Sequence, residues 1–211
     1  VREFVKSFLS LKMPLHGLVN NAGLMMSDRS ETADGLEMVI TANHLSHFLL
    51  TNLLVDCLDT TAKKEKSKGR VVNLASALHK NTKEFDFADF EFKKPGAYNM
   101  FTNYSQSKLA NVLFTDALQA RMDKAGKDIL VNSVHPGCVM TDVSRHMHWL
   151  MRWGEKMAQP MLAQLRKTPA EGAYCSVFAV SSPRVLEKSI KGQYLFHCVP
   201  CSKGPGATPQ A

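Results

Sequence analysis

Tyr104 and Lys108 are the pair of residues in this sequence whose types and spacing most directly indicate chemistry. They stand four positions apart in a segment of helical periodicity, so both side chains fall on one helix face. A phenol has an unperturbed pKa of about 10, and a neighbouring ammonium favours the phenolate and lowers that pKa. The pair therefore predicts a general acid–base group. Because YxxxK also arises by chance, an exposed helical pair without a catalytic role is the alternative.

Two further polar residues occupy positions that need an explanation. Asn43 lies within the apolar stripe of a predicted helix, between Ile40 and His47. Since a buried amide needs partners, Asn43 either bonds to a neighbouring loop or holds a water molecule in a proton relay. Ser76 ends a predicted strand. Its hydroxyl either caps a turn or hydrogen-bonds a substrate oxygen in the crevice that Tyr104 faces.

Two glycine-containing corners follow predicted strands. Glycine permits positive φ, and small residues let the backbone approach a ligand closely. Taken singly, each corner predicts only a turn. The first corner offers Asn20, Asn21, Ala22 and Gly23, and the second offers Pro136, Gly137, Val139 and Thr141.

The elements that must position these residues alternate between strand and helix. This alternation predicts an α/β fold with a parallel sheet, and right-handed crossovers make it a doubly wound, Rossmann-like sheet. The site of such a sheet lies beyond the carboxyl ends of its strands, which would gather both corners, Ser76 and Tyr104 in one crevice. Apolar runs predict strands at 15–20, 70–75, 129–134 and 193–197, and helical periodicity predicts helices at 32–58, 98–124, 143–165 and 168–182.

Two of the predicted helices carry more detailed expectations. In the 98–124 helix, Tyr104 and Lys108 are expected to flank the core stripe and face a cleft. The segment 145–166 is rich in Met and Trp, and it either packs on the body of the protein or forms a lid over an apolar substrate. The predicted core stripe of the 98–124 helix comprises Ala110, Leu113, Phe114, Ala117 and Leu118.

Composition limits the classes of protein to consider. The 211 residues suffice for one sizeable core, so we predict a single domain over 1–211. The net charge of +7 would suit a nucleic-acid partner, but the lysines are scattered and the cluster at 63–70 is typical of a solvated loop, so we expect no such partner. The five cysteines include one CxxC, at 198–201, without a second ligand pair, so we expect free thiols and no metal.

Together, these motifs resemble the short-chain dehydrogenase/reductase family, and they follow one another in the family's order over nearly the whole chain. Within that family, the sequence looks most similar to the retinol-dehydrogenase group, and in particular to the X-linked dehydrogenase/reductase branch, which is associated with polyprenol-type lipids. The motifs are NNAG at 20–23, TANHLSHFLLTNLL at 41–54 with Asn43, RVVNLASA at 70–77 with Ser76, YSQSK at 104–108 and HPGCVMT at 135–141.

The resemblance implies a role for each matching residue. Tyr104 would exchange a proton with the substrate oxygen, which Ser76 would hold. Lys108 would lower the pKa of the phenol and bind the nicotinamide ribose of NAD or NADP, and Asn43 would hold the relay water. Residues 20–23 would lie against the adenosine side of the cofactor, and residues 136–141 against the nicotinamide amide.

The same resemblance implies an oxidoreductase that transfers a hydride between NAD(P) and a lipophilic alcohol or carbonyl, of the retinoid or polyprenoid kind. Besides this small substrate, it points to a membrane surface and to a second copy of the chain as partners. It also suggests the cytoplasmic side of the endoplasmic reticulum, through an N-terminal anchor.

The sequence departs from the family's pattern in its first part. The family's glycine-rich GxxxGxG turn does not occur in the 211 residues, which begin with Val1. We therefore expect a sheet that lacks the family's first βαβ units, with an open apolar edge at 15–20. The rival hypothesis is a catalytically silent, truncated family member that acts as a binding or regulatory protein.

Overall fold

The computed structural model of the chain describes residues 1–139 and 167–207. Five strands and five helices form the body of the described part, and two short 3₁₀ helices lie at Ala77–Asn81 and Pro205–Ala207. In chain order the elements are α1 (Arg2–Ser10), β1 (Gly17–Asn20), α2 (Met38–Lys64), β2 (Gly69–Leu74), α3 (Met100–Lys124), β3 (Ile129–His135), α4 (Pro169–Ser181), α5 (Pro183–Glu187), β4 (Tyr194–Phe196) and β5 (Val199–Cys201).

The strands form one sheet in the order β1-β2-β3-β4-β5. The first four are parallel, and β5 returns antiparallel to β4 through a two-residue turn at His197 and Cys198. Both turn residues have positive φ, 51° and 63°, as the tight hairpin requires. The predicted α/β class and parallel sheet are confirmed, whereas β5 was not predicted.

Helices cover both faces of the sheet. Because side chains alternate along a strand, Val71 and Val72 point to opposite faces. Val71 packs with α2 and α3, whereas Val72 packs with α4. The chain moves across the sheet in one direction from β1 to β4, yet α4 lies on the face opposite to α2 and α3. The third crossover therefore has the opposite hand to the first two, which a uniform right-handed rule does not predict.

Each face has its own apolar core. The core under α2 and α3 contains Val55, Leu58, Val71, Phe114, Leu118, Met122, Ile129 and Val131. The core under α4 contains Val72, Val134, Cys175, Ala179 and Leu195.

Helix α2 begins and ends six residues later than the 32–58 segment that periodicity predicts. Glu37 sets the start, because its buried carboxylate accepts hydrogen bonds from the backbone N–H groups of Val39 and Ile40. A π-helical turn then spans Thr41–Leu45 before the regular α-helix resumes. Such turns occur often at functional sites, and this one contains Asn43.

The predicted stripe on helix α3 is only partly correct. Phe114 and Leu118 are buried, but Ala117 is exposed and Leu113 is half-buried. Lys108, predicted to flank the stripe, is itself buried and retains only 3% exposure. Helix α3 is buried on nearly all sides over its first half, so a one-sided stripe does not describe it.

Strands β1 to β4 and helices α3 and α4 lie within about two residues of their predicted bounds, whereas helix α5 was not among the predicted helices. Helix α4 opens with a capping box in which Thr168 and Glu171 satisfy each other's backbone N–H groups. Strand β1 pairs only with β2 within the described ranges, and Val19 on it is 37% exposed. Helix α2 has the length and hydropathy of a membrane span, and part of its apolar surface, including Val55 and Leu58, packs against the sheet. The predicted 143–165 helix lies outside the described residues.

Candidate active site

The site lies at the carboxyl ends of β1, β2 and β3. Because these strands are parallel and in register, the corner at 20–23, Ser76 and the corner after His135 emerge at the same edge of the sheet. Helix α3 begins beside this edge, with Asn99 as its N-cap, and presents Tyr104 one turn later. The structure therefore brings these residues together at one edge of the sheet, as the sequence predicts.

Tyr104 and Ser76 are neighbours. Burial raises the pKa of the Tyr104 phenol, and a hydrogen bond with the Ser76 side chain opposes that rise without cancelling it. Ser76 also caps the 3₁₀ turn, since its Oγ accepts a hydrogen bond from Leu78 N at 3.3 Å. The capping role and the contact with Tyr104 thus coexist. The phenol keeps its proton at neutral pH, although Lys108 lies nearby.

Lys108 has an ammonium enclosed by the protein. Its Nζ lies 5.5 Å from the centroid of the Tyr104 ring and donates a hydrogen bond to Leu74 O at 3.2 Å. Burial lowers its pKa to about 8. Among residues 1–139 and 167–207, no carboxylate lies within ion-pair distance of Lys108. A titratable amine without a counter-ion is thereby held beside the phenol.

Asn43 is fully buried and ties the first corner to helix α3. Its Oδ1 accepts from Leu24 N at 2.8 Å, and its Nδ2 donates to Leu24 O and to Ser107 Oγ, each at 3.0 Å. A Cβ added to Gly23 would lie 3.3 Å from both Asn43 Oδ1 and Lys108 Nζ, so glycine leaves the space that this arrangement uses. The amide is therefore bonded to the neighbouring loop, one of its two predicted uses.

The first corner divides into a buried and an exposed part. Asn20 is 1% exposed, and its Nδ2 donates to Asn73 Oδ1 at 2.7 Å and to Thr51 Oγ1 at 2.8 Å, inside the sheet–helix layer. A ligand at this corner would meet the backbone of Asn20 rather than its side chain. The next three residues, Asn21, Ala22 and Gly23, are exposed at the sheet edge.

The second corner is a tight turn braced by helix α4. Gly137 has φ +92°, and a Cβ there would approach the Lys167 side chain to 3.1 Å. Val139 pairs with Lys167 in an isolated parallel bridge and packs over Gly172. Pro136, Gly137 and Val139 are half-buried at the same edge as Ser76. Thr141, predicted for the same group, lies outside the described residues.

Three buried polar residues near Lys108 were not predicted. Ser107 accepts from Asn43, and Asn111 and His47 each donate to the Asn43 backbone carbonyl. Burial lowers the pKa of His47 to about 4, so its ring is neutral. A second buried amide at Asn111, within a core helix, was the available signal, because such a residue requires partners.

The residues present fit a bound nicotinamide nucleotide. The exposed backbone at 21–23, the enclosed ammonium of Lys108 and the glycine corner at 137 lie at one edge of the sheet. A phenol paired with a hydroxyl and an amine can transfer a proton to or from an oxygen atom. Within the described residues there is no cluster of three or more metal-binding side chains.

Several known proteins are similar to this chain in sequence. The family model described as short chain dehydrogenase matches residues 1–86. Polyprenol dehydrogenase of Homo sapiens is 40% identical over 197 residues, which are 93% of this chain and 57% of that protein. Retinol dehydrogenase 14 of Homo sapiens is 37% identical over 202 residues, which are 94% of this chain and 55% of that protein.

A solved structure shows the same fold. The NADP active-site complex of RhlG from Pseudomonas aeruginosa superposes with a TM-score of 0.62 at 22% identity, covering 98% of this chain and 71% of that one. Fold and site together define a Rossmann-like α/β protein with an acid–base crevice. The chain is similar to the short-chain dehydrogenase/reductase family, through the family model over residues 1–86 and through these relatives over more than nine tenths of its length. It spans somewhat more than half the length of the curated relatives that it matches.

Proposed function

We propose that this protein is an NAD(P)-dependent oxidoreductase that interconverts a lipophilic alcohol and its carbonyl compound. The observation that carries the proposal is the meeting of Tyr104, Ser76 and Lys108 at the carboxyl edge of a parallel sheet. The names of the relatives, polyprenol and retinol dehydrogenases, favour a retinoid-like or polyprenoid-like substrate.

The residues would divide the proton chemistry among them. The protonated Tyr104 phenol donates its proton to a carbonyl oxygen on reduction and takes it back on oxidation, while the Ser76 hydroxyl holds that oxygen. Lys108, with a pKa near the working pH, stabilises the phenolate that remains. Asn43 fixes the 20–24 corner against helix α3 through Leu24 and Ser107, and in this hypothesis it also stands where a relay water would bind.

The cofactor would supply the hydride, and the protein supplies position and electrostatics. Tyr104 and Lys108 would hold the nicotinamide ribose, residues 21–23 the adenosine side, and residues 136–139 the nicotinamide amide. NAD and NADP both remain candidates. A small lipophilic substrate is the proposed partner, together with a membrane surface on the cytoplasmic side of the endoplasmic reticulum and a second copy of the chain.

The test is fluorescence binding of NADH and NADPH to the purified chain, followed by turnover of a lipid aldehyde. We expect binding of one nucleotide, and a loss of turnover of about 10²–10⁴-fold in Tyr104→Phe with nucleotide binding retained. Tyr98→Phe is the matched control, because Tyr98 is also half-buried near the site but donates to Met26 O instead. Equal losses in both variants would contradict the role assigned to Tyr104.

A second hypothesis is a catalytically silent binding or regulatory protein. The 211 residues contain no GxxxGxG turn, so the sequence does not itself show a cradle for the pyrophosphate. Backbone amides of such a turn normally cradle the pyrophosphate. A folded chain that binds neither NADH nor NADPH would support this hypothesis over the first.

A further inference from the structure

Asn111 lies beside Lys108, and its side chain takes part in three hydrogen bonds, as many as that of Asn43. It lies three positions after Lys108 on helix α3 and is 1% exposed. Its Nδ2 donates to Leu74 O at 2.9 Å and to Asn43 O at 3.0 Å, and its Oδ1 lies 3.0 Å from His44 Nδ1. Both amide hydrogens are therefore used, and the oxygen has a partner as well.

The first of these bonds involves the acceptor that Lys108 uses. Leu74 O, at the end of strand β2, accepts from Lys108 Nζ and from Asn111 Nδ2. A carbonyl oxygen has two lone pairs, so the two side chains fill its capacity. The position of the ammonium and that of the amide are consequently linked through one atom.

The second bond involves the π-helical turn. Asn43 O accepts from Asn111 Nδ2 and from His47 Nδ1, each at 3.0 Å. Both lone pairs of this carbonyl are also filled by protein donors. Asn111 thus spans the gap between the end of strand β2 and the turn that carries Asn43.

Several ionisable groups face Lys108. Tyr104 lies on the same helix, and His44 and His47 approach from helix α2. Burial lowers the pKa of both histidines, so neither carries a charge at neutral pH. Because the Asn111 amide oxygen can only accept, His44 Nδ1 is the donor of this bond, which orients the amide so that its hydrogens face the two carbonyls.

We propose that Asn111 is a positioning residue, which sets the Lys108 ammonium against Tyr104 by holding the carbonyls of Leu74 and Asn43. This inference rests on the proposed function and adds a residue to its proton-transfer machinery. Asn111 acts through these two carbonyls and touches neither Tyr104 nor Ser76 in the hydrogen bonds that the structure shows.

The test is a pH titration of Lys108 in the unliganded chain. The titration is monitored by NMR of lysine side chains labelled with ¹³C at Cε, and the Lys108 signal is assigned by its loss in Lys108→Met. In Asn111→Leu, Leu74 O keeps Lys108 as its sole side-chain donor, so the ammonium is better stabilised. We expect the midpoint to rise by about half a pH unit or more. Where turnover is measurable, the midpoint of its pH profile rises with it.

Asn103→Leu is the matched control. Asn103 is a second amide on helix α3 with 1% exposure, but it has no hydrogen-bond partner among the described residues. Its replacement should leave the Lys108 midpoint within about 0.2 pH units, because no bond to the Leu74 or Asn43 carbonyl is lost. An unchanged midpoint in folded Asn111→Leu, or an equal shift in both variants, overturns the proposal.

A further variant covers the case in which Asn111→Leu does not fold. Asn111→Asp has nearly the same shape and keeps an oxygen for His44, but places a carboxylate beside Lys108. It should raise the midpoint by at least about one pH unit, and an unchanged midpoint would overturn the proposal. The titration needs neither nucleotide nor turnover, so failure of the proposed dehydrogenase activity and failure of the positioning role are separate outcomes.

Discussion

The first half of helix α3 is more completely buried than the second half, and the two halves are built from different chemistry. The first half carries Asn103, Tyr104, Lys108 and Asn111, of which three retain 3% exposure or less. The second half carries Phe114, Leu118 and Met122, which pack in the apolar core. Burial of apolar groups stabilises a fold, whereas burial of an unpaired cation or amide destabilises it. The comparison shows a helix whose second half offsets the cost of the site that its first half presents.

The largest expected effect tests the apolar half. Met122→Ala should lower the free energy of unfolding by about 2–5 kcal/mol, because Met122 is 1% exposed and its truncation leaves a cavity. Denaturant unfolding measures the change. A loss below about 1 kcal/mol would show that this half does not carry the stability assigned to it.

The next effect has the opposite sign and tests the polar half. Lys108→Met should raise the free energy of unfolding at pH 7 by up to roughly 3 kcal/mol, because the pKa of Lys108 is lowered from 10.5 to about 8 and each pH unit corresponds to about 1.4 kcal/mol. Between about pH 8 and 10.5 the unfolded chain binds more protons than the native one, so wild-type stability rises with pH.

The advantage of Lys108→Met should therefore shrink across that pH range. Unfolding curves at several pH values between 7 and 10.5 measure the convergence of the two proteins. A Met variant that is less stable than wild type at pH 7 would contradict the idea that the ammonium is held there at a cost.

A smaller change in the free energy of unfolding is expected in acid, and it arises from a histidine beside the polar half. Burial lowers the pKa of His47, next to the polar half, from 6.5 to about 4. Since the unfolded chain binds more protons between these values, stability is lost as the pH falls from 6.5 toward 4. His47→Gln should lose about 1–2 kcal/mol less over that interval, because glutamine does not titrate.

His135→Phe provides the comparison for this acid effect. Burial also lowers the pKa of His135 to about 4, and its ring stacks on Phe196 with centroids 4.9 Å apart. Phenylalanine keeps the stacking and removes the titration, so this variant should reduce the acid loss without touching helix α3. Identical acid curves for wild type and His47→Gln would remove His47 from the account.

The smallest expected effect concerns an amide in the polar half. Asn103→Leu should leave the free energy of unfolding unchanged or raise it by about 1 kcal/mol, since the amide it removes has no partner among the described residues. Asn111→Leu should lower it, because three hydrogen bonds are lost. Thermal unfolding of the two variants side by side checks the sign, and a larger loss in Asn103→Leu would reverse the assignment.

The alternation of apolar runs predicted the sheet, its parallel strands and the edge where Tyr104 and Ser76 meet. The burial of Lys108 was not predictable from helical periodicity, because the period of 3.6 assumes a helix with one solvated side. Helix α3 is instead covered on several sides by helix α2, the sheet and the 3₁₀ turn after Ser76. That covering does not extend to Ala117, which is exposed although it falls within the predicted apolar stripe.

The start of helix α2 and the net direction of the Tyr104 pKa depend on contacts between distant parts of the chain. Glu37 caps the helix only because its carboxylate is buried there, and propensity alone does not distinguish it from Thr32 as a start. A nearby ammonium predicts a lower phenol pKa, but the extent of burial decides the balance, and it raises the pKa. Roles for residues 20–23, 43 and 136–141 stay predictions.

The π-helical turn at Thr41–Leu45 amounts to one residue more than a regular α-helix needs over the same length. An extra residue turns everything that follows by about 100° around the axis. Deleting a single residue there would leave a smooth helix with a better-matched hydrogen-bond ladder, but the residues after the turn, which pack against the sheet, would rotate relative to those before it. Sequence alignments of relatives should therefore show no gap within this stretch.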